Sequence, residues 1–401
     1  MSKLREVFSY KELVGYWSAL QHHIRRKTAR GIDGLSKEDF ASNLERHLRN
    51  ISREILRGEF QFAALRPILI PKEPTGFRVI NVPTIRDRFV QRILFQLLVD
   101  RYGTKWRLPY SFSSMGDEST KKILDAVCTQ CRAESWIIKT DVSKYFDSIS
   151  RIEMKKVLHR EVRYRSLHGL LDGVVDCEHQ AASRIQQREI SQNGIRKGVG
   201  LRQGMTLSPI FAYLFLRRED DQMGIDGYFR YVDDALIIGN SRQEVEGKFS
   251  KLKSMLSLRG LNLHEPGMPA KKPKTVLIGP RQSFEFLGIT LSRNGAKTKY
   301  LIPKTSKVRI VEKIQYRANY GALRPKEQSG WVTETSRFAA DLVRNYKSTY
   351  EFCENWPELE SLLVERQSYL ANEIVKSLAP LIETPRTPQA QYTLLKLFGI
   401  K

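Results

Sequence analysis

Two adjacent carboxylates, Asp233-Asp234, sit between two runs of β-forming residues and constrain this chain more than any other feature. Tyr228-Phe229-Arg230-Tyr231-Val232 precedes the pair and Ala235-Leu236-Ile237-Ile238 follows it. The pattern reads as strand, tight turn, strand, with the acids at the rim of a sheet. Alone, an Asp-Asp turn needs no further purpose, because Asp is tolerated in hairpin turns. A third carboxylate changes that. Trp136-Ile137-Ile138-Lys139-Thr140 is a short buried strand that delivers Asp141. Carboxylates gathered at one rim repel by several kcal/mol in a poorly screened site. Divalent cations offset that repulsion, and Mg²⁺ leaves room for substrate phosphates. Two such ions can activate a hydroxyl nucleophile and hold a leaving group.

Charge points to the partner. Lys plus Arg number 67 against 44 for Asp plus Glu, giving +23. The basic residues recur along the whole chain, which suits a channel lined with cations and a polyanion such as nucleic acid. A solvated basic surface is the plainer alternative. Apolar runs are too short to span a bilayer, so no membrane role is expected. The start shows no secretory pattern, and a cytoplasmic protein is expected. Cys128 and Cys131 form a C-x-x-C pair, and Cys177 with His179 offers two more zinc donors, although the first pair falls in a helix-like segment.

The periodicity predicts a helix over 36–57, capped by Ser36, with Phe40, Leu44, Leu48, Ile51 and Ile55 on one face and Gly58 as its stop. Phe62 to Pro83 reads as a hairpin with Pro74-Thr75-Gly76 at its tip. Residues 84–100, 151–190 and 208–217 read as helical. A further helix follows Ser241, capped by Ser241 and Glu244, with Val245, Phe249, Leu252 and Leu256 as its buried stripe. Phe284 to Ile289 reads as strand and turn. From about 305 the chain is helical and basic, with breaks at Gly330 and near Pro385-Arg386-Thr387-Pro388. The expected class is α+β with a mostly antiparallel sheet and helical appendages.

Several segments together resemble the reverse transcriptases. Tyr231-Val232-Asp233-Asp234 looks like their Tyr-x-Asp-Asp box, and Lys139 to Asp147 resembles the first catalytic motif of the palm. Leu201-Arg202-Gln203-Gly204-Met205-Thr206-Leu207-Ser208-Pro209 resembles the loop-helix motif between them. Arg66 to Lys72, Phe77 to Pro83 and Asp87-Arg88 resemble the fingers of the bacterial enzymes. Phe284 to Ile289 is similar to the primer grip, and Gly31-Ile32-Asp33-Gly34 to an N-terminal element of group II intron enzymes.

The resemblance implies a right-hand polymerase with fingers, palm and helical thumb. The expected division is 1–130 for the N-terminal extension and fingers, 131–295 for a palm with a fingers insertion at about 151–207, and 296–401 for the thumb and C-terminal region. It implies an RNA-directed DNA polymerase that binds two Mg²⁺, or Mn²⁺, through Asp141, Asp233, Asp234 and the Val142 carbonyl. Lys72 and Arg78 would clamp the triphosphate of an incoming dNTP. Phe146 would exclude a ribose 2′-hydroxyl, or simply pack in the core. Gln203 and Gly204 would shape the pocket at the templating base, Gly204 by close backbone approach; Gln203 could instead serve the loop alone. Lys274 would help protonate pyrophosphate. Arg66, Arg88 and Tyr231 would contact nucleic acid. Lys304, Lys307, Arg309, Lys313 and Arg317 would track the primer–template backbone, or form the wet face of a helix.

The retron signature Asn-Ala-x-x-His is missing, and Val332-Thr333-Glu334 departs from the retron Val-Thr-Gly element. No endonuclease or RNase H pattern is read after the thumb. The chain therefore resembles the stand-alone bacterial enzymes linked to phage defence. That resemblance implies a structured non-coding RNA as template and a DNA product. An intron-type maturase or a non-catalytic RNA-binding scaffold are the alternatives. An RNA-making polymerase is disfavoured by Phe146 and Val232.

Overall fold

The computed structural model describes residues 3–24, 29–71, 76–112, 119–265, 273–294, 297–319 and 330–383, the last six as backbone only. The chain divides into two compact units. Residues 1–118 and 136–277 form the first, and residues 119–135 and 278–401 the second. The fold is α+β, as the sequence patterning predicts.

The first unit begins with helices Lys3–Phe8 and Tyr10–Leu20. Trp17 lies 5.2 Å from the Phe40 ring and 5.3 Å from Phe89, joining three segments in one core. The helix expected over 36–57 is two helices, Lys37–Ser42 and Leu44–Arg57, broken at Asn43 (φ −120°, ψ 31°). Ser36 and Asp39 make a full capping box on the first of them. Strands β1 (Arg66–Pro71) and β2 (Phe77–Val82) pair antiparallel, Arg66 opposite Val82. The tip expected at Pro74 and Thr75 lies outside the described residues. The following helix runs from Ile85 to Trp106, more than a turn and a half beyond the expected end, because Leu98, Tyr102 and Trp106 continue its buried face.

The central sheet has strand order β3 (Ser111–Phe112), β5 (Tyr228–Tyr231), β6 (Asp234–Gly239), β4 (Trp136–Asp141) and β7 (Val276–Ile278). β4 and β5 both run antiparallel to β6, while β3 joins β5 in parallel. The first half of helix Ser208–Met223 is apolar nearly all round, with every residue from Ile210 to Leu216 buried. Helix Arg242–Leu258 buries Val245, Phe249, Leu252 and Leu256 as the pattern predicts. Ser241 accepts the Glu244 N–H, and the Glu244 carboxylate accepts from the Asn240 N–H. The region 151–190 is not continuous helix. It folds as Arg151–Glu161, His168–Asp176 and Arg184–Gln192, separated by a short 3₁₀ turn and an extended stretch around Glu178.

The second unit contains helix Thr120–Gln130 and the hairpin of β8 (Phe284–Phe286) and β9 (Ile289–Ser292), extended by β10 (Lys299–Leu301). Helices Lys304–Ala318, Trp331–Tyr350 and Trp356–Glu383 follow. Gly330, at φ 77°, begins the second of these, where the break is expected. The break expected near Pro385 lies outside the described residues. Among the described residues no helix is long and apolar enough to cross a membrane.

Candidate active site

β4 and β6 run antiparallel in a register that sets Asp141 directly opposite Asp234. Facing residues of such a ladder lie roughly 5 Å apart. Asp233 stands in the turn just before β6, and its carbonyl accepts the Val142 N–H at 2.9 Å. Three acids separated by up to 93 residues in sequence thus share one rim of the sheet. The turn is held under strain. Val232 has φ +57°, an unfavourable region for a β-branched side chain. The positive φ falls on Val232, although the sequence offers the more tolerant Asp pair beside it.

What fixes that turn lies beneath it. Arg230 donates from Nη1 to the Val232 carbonyl at 2.6 Å and from Nε to Asp220 Oδ1 at 2.7 Å. Asp220, on helix Ser208–Met223, also accepts from Tyr228 at 2.8 Å and from Ser111 at 2.7 Å. Arg230 and Asp220 are each only 1 % exposed. An ion pair this dry persists only when its remaining polar atoms are also satisfied.

The electrostatics of the rim are those of crowded acids. Burial raises the pKa of Asp233, and the charge of Asp141 adds to the rise; Lys274 and Arg78 pull the other way. Burial likewise raises Asp234, helped by Asp233 and Asp141 and opposed by Lys139. Lys274 Nζ donates to Asp141 Oδ2 at 2.8 Å. Burial works against its charge, but this bond and the three acids raise its pKa above the ordinary lysine value. His264 Nε2 stands 3.7 Å from Asp141 Oδ1. That Oδ1 is buried and accepts no hydrogen bond.

Among the described residues no three acidic, histidine or cysteine side chains close into a ready-made metal cage. The ammonium of Lys274 holds Asp141 instead. The donor chemistry nonetheless fits a hard divalent cation: three carboxylates on neighbouring backbone, two held above their ordinary pKa, and one buried oxygen without a partner.

Comparison with known proteins matches residues 70–291, more than half of the chain, to the family described as Reverse transcriptase (RNA-dependent DNA polymerase). The chain belongs to the reverse transcriptase family. Protein YkfC of Escherichia coli (strain K12) is 23 % identical over 223 residues, 53 % of this chain and 52 % of that protein. The Putative COX1/OXI3 intron 2 protein of Saccharomyces cerevisiae is 27 % identical over 178 residues, 43 % of this chain and 19 % of that protein. The chain thus spans about half, or less, of the length of these relatives. A solved apo telomerase from Candida tropicalis is similar over 89 % of this chain and 66 % of its own, with 13 % identity and a TM-score of 0.48.

The other expected site residues of this reverse transcriptase fall in different places. Arg78 is exposed on β2, close enough for its charge to act on Asp233. Lys72 lies outside the described residues. Phe146 is half-buried and edge-on to Tyr145 at 5.8 Å, so it is not a core residue. The Leu201 N–H donates to the Phe146 carbonyl at 2.7 Å, pinning the two motifs together. Gln203 and Gly204 meet β2: the Asn81 N–H donates to the Gln203 carbonyl at 2.7 Å. A Cβ on Gly204 would stand 2.5 Å from the Asn81 carbonyl oxygen, at φ +106°. The close approach expected of Gly204 is therefore made to the chain's own strand.

Two arginines expected on nucleic acid are engaged within the protein. Arg66 Nε donates to the Arg30 carbonyl at 2.7 Å, and Arg88 donates to the carbonyls of Pro83 and Ala29. They fasten the segment around Gly31 to the sheet and helix behind it, because carbonyls at a loop edge offer acceptors that a fork of N–H donors can share. In the second unit, Lys307 pairs with Glu358 at 2.6 Å, and Arg317 lies 3.9 Å from Glu334 and over Phe338. Lys304, Arg309 and Lys313 are exposed. Tyr231 ends β5, opposite Asp234.

Sequence reasoning missed Asp220, Lys139 and His264. Lys139 was within reach, since positions i and i+2 of a strand share a face and Lys139 is two before Asp141. Nothing local marks His264 or Asp220. The zinc reading for Cys177 and His179 gains no support. The Cys177 thiol donates to the Gly173 carbonyl at 3.3 Å and burial pushes its pKa up to about 12, unlike a ligand thiolate.

Proposed function

We propose that this chain is an RNA-directed DNA polymerase whose reacting groups gather around Asp141, Asp233 and Asp234. The observation that carries the reading is the register of β4 on β6, which sets Asp141 against the Asp233-Asp234 turn in a member of the reverse transcriptase family. Asp141, Asp233, Asp234 and the Val142 carbonyl would hold two Mg²⁺, or Mn²⁺. Such a pair supplies Lewis acidity to a primer 3′-hydroxyl and to the leaving diphosphate.

The chain's own groups do the rest. Arg78, with Lys72, binds the triphosphate of the incoming dNTP and holds it in line. Lys274 carries a proton at Nζ within reach of the acids and is the donor to the departing diphosphate. Phe146, fixed by its carbonyl to the Leu201 N–H, presents an edge that disfavours a 2′-hydroxyl. Gln203 and Gly204 buttress β2 and so position Arg78 and the template-side wall. Lys304, Arg309 and Lys313 are exposed cations available to the primer–template backbone in a thumb of residues 296–401, with a palm at 131–295 and fingers at 1–130.

The template proposed is a structured non-coding RNA, and its DNA copy the product that serves antiphage defence. Support for that finer reading is the departure of Val332-Thr333-Glu334 and the palm insertion from the retron pattern. A second reading, a polymerase acting on its own intron RNA, is favoured by relatives named as intron proteins. Purified protein incubated with primed RNA, a divalent cation and either dNTPs or NTPs tests the activity. Extension with dNTPs alone is expected; extension preferring NTPs, or none at all, defeats the proposal. Sequencing the nucleic acid that co-purifies separates the two templates.

A further inference from the structure

Three cations gather around one cavity of the second unit. A cavity of about 420 Å³ opens between the end of helix Thr120–Gln130 and the loop before β10. Arg132, Arg293 and Lys297 line it, with Thr298 and Cys128. Arg293 is 1 % exposed. Its Nε donates to the Gln282 carbonyl at 2.9 Å, its Nη1 to the carbonyls of Arg132 and Ser135 at 3.2 and 2.7 Å, and its Nη2 to Gly279 at 2.6 Å. Those bonds position the guanidinium and satisfy most of its N–H groups, but carbonyl dipoles do not cancel its charge.

Among the described residues none of the three cations has a carboxylate partner. Nearby carboxylates are already engaged: Glu134 with Arg281 at 2.8 Å, and Asp125 with Lys121 and with the Tyr300 hydroxyl. A buried positive charge without a counter-charge is costly, and the cost falls when an anion enters beside it. Arg132 and Lys297 line the same cavity and are exposed, so they are open to such an anion. Phosphate suits the set better than a single carboxylate, because its several acceptor oxygens, which carry one negative charge in a backbone diester and more in a free monoester, can engage guanidinium and ammonium together. The hydroxyl of Thr298 adds a neutral donor. The chain's charge of +23 favours a polyanion as the source of that phosphate.

We infer that the cavity lined by Arg132, Arg293 and Lys297 binds a phosphate group, either of a nucleic-acid backbone or of a free phosphorylated small molecule. The test keeps Arg293, whose bonds tie β9 to the segment 132–135, and removes the two exposed cations together as Arg132→Ala with Lys297→Ala. A control variant, Arg344→Ala with Lys376→Ala, removes equal charge from other exposed positions of the same unit. Single-stranded RNA binding by the full chain is measured against salt, and thermal melting is followed with inorganic phosphate or pyrophosphate.

For a backbone site, the salt slope of log K becomes shallower by about 1.4 in the pocket variant, roughly 0.7 per lost contact, and is unchanged in the control. For a small-molecule site, the slope stays at the wild-type value while pyrophosphate raises the Tm of the wild type and not of the pocket variant. A pocket variant that matches the wild type in both measurements overturns the inference. Neither measurement depends on catalysis, so an inactive polymerase would leave the inference standing.

Discussion

Asp220 and Arg230 form a dry ion pair directly below the acidic turn, and the same guanidinium holds the Val232 carbonyl at 2.6 Å. The helix that carries Asp220 thereby sets the backbone that presents Asp233 and Asp234. Removing one member leaves the other charged, buried and unpaired. Asp220→Ala is expected to cost about 3–5 kcal/mol of stability. Chemical denaturation checks this. A loss below about 1 kcal/mol would show that Arg230 finds another partner or reaches water.

The acids at the rim trade stability for function. Burial and mutual repulsion raise the pKa of Asp233, so its charge is less favourable in the folded chain than in the unfolded one. Asp233→Asn removes the charge with little change of shape. The variant is expected to lose primer extension, keep RNA binding near wild type, and melt no lower than wild type in the presence of a chelator. Added Mg²⁺ should raise the Tm of the wild type more than that of the variant. Extension near the wild-type rate would refute the assignment.

Val232 bears the strain of the turn. At φ +57° a β-branched residue costs on the order of 1–3 kcal/mol, while Gly adopts that backbone freely. Against this, Gly loses roughly 0.5–1 kcal/mol through the entropy of the unfolded chain. Val232→Gly should therefore raise stability by about 1 kcal/mol, and Val232→Ile should not. A Gly variant clearly less stable than wild type would mean that the Val232 side-chain contacts outweigh the backbone cost.

Much of this was legible because the signals were local. The β-rich runs around Asp233-Asp234 and before Asp141 are short, apolar and rich in β-branched and aromatic residues, which reads as strands buried on both faces. The helix break at Asn43 and the interruptions between 161 and 184 were not legible, because apolar residues there serve two successive elements and keep a helical rhythm across the joint. Arg66 and Arg88 show partners that the letters alone do not reveal. An arginine that meets phosphate and one that meets carbonyls of a remote loop are the same letter, and only the fold brings residues 29–30 to them. Asp220, four residues after a long apolar run, likewise reads as the wet end of a helix until the sheet covers it.

Gly204 couples the loop after Leu201 to β2. Its absent side chain lets the Gln203 carbonyl accept from the Asn81 N–H, and a methyl there would meet the Asn81 oxygen at 2.5 Å. Gly204→Ala combines that clash with a φ of +106° that L-residues avoid. Extension is expected to fall at least tenfold, with a raised KM for dNTP because Arg78 lies on the displaced strand. Steady-state kinetics with varied dNTP checks it; an unchanged KM would separate this loop from the nucleotide site.

Asp87 supplies a pH signature remote from the acidic rim. Its carboxylate is 1 % exposed, accepts the Ala63 N–H at 2.8 Å, and is pushed by burial from 3.8 to about 6. The folded chain then holds a proton that the unfolded chain has already released between those two values. Stability from this group is present below about pH 4, falls as pH rises through the window, and is gone above about 6. The gap corresponds to roughly 3 kcal/mol at most, reduced by whatever relaxation the site allows. Asp87→Asn keeps an oxygen for the Ala63 N–H and has no charge to bury. Urea unfolding at pH 4 and pH 7 should show the variant gaining on the wild type by about 1–3 kcal/mol at the higher pH. Parallel pH profiles for the two proteins would mean that the Asp87 carboxylate is as comfortable charged in the fold as in water.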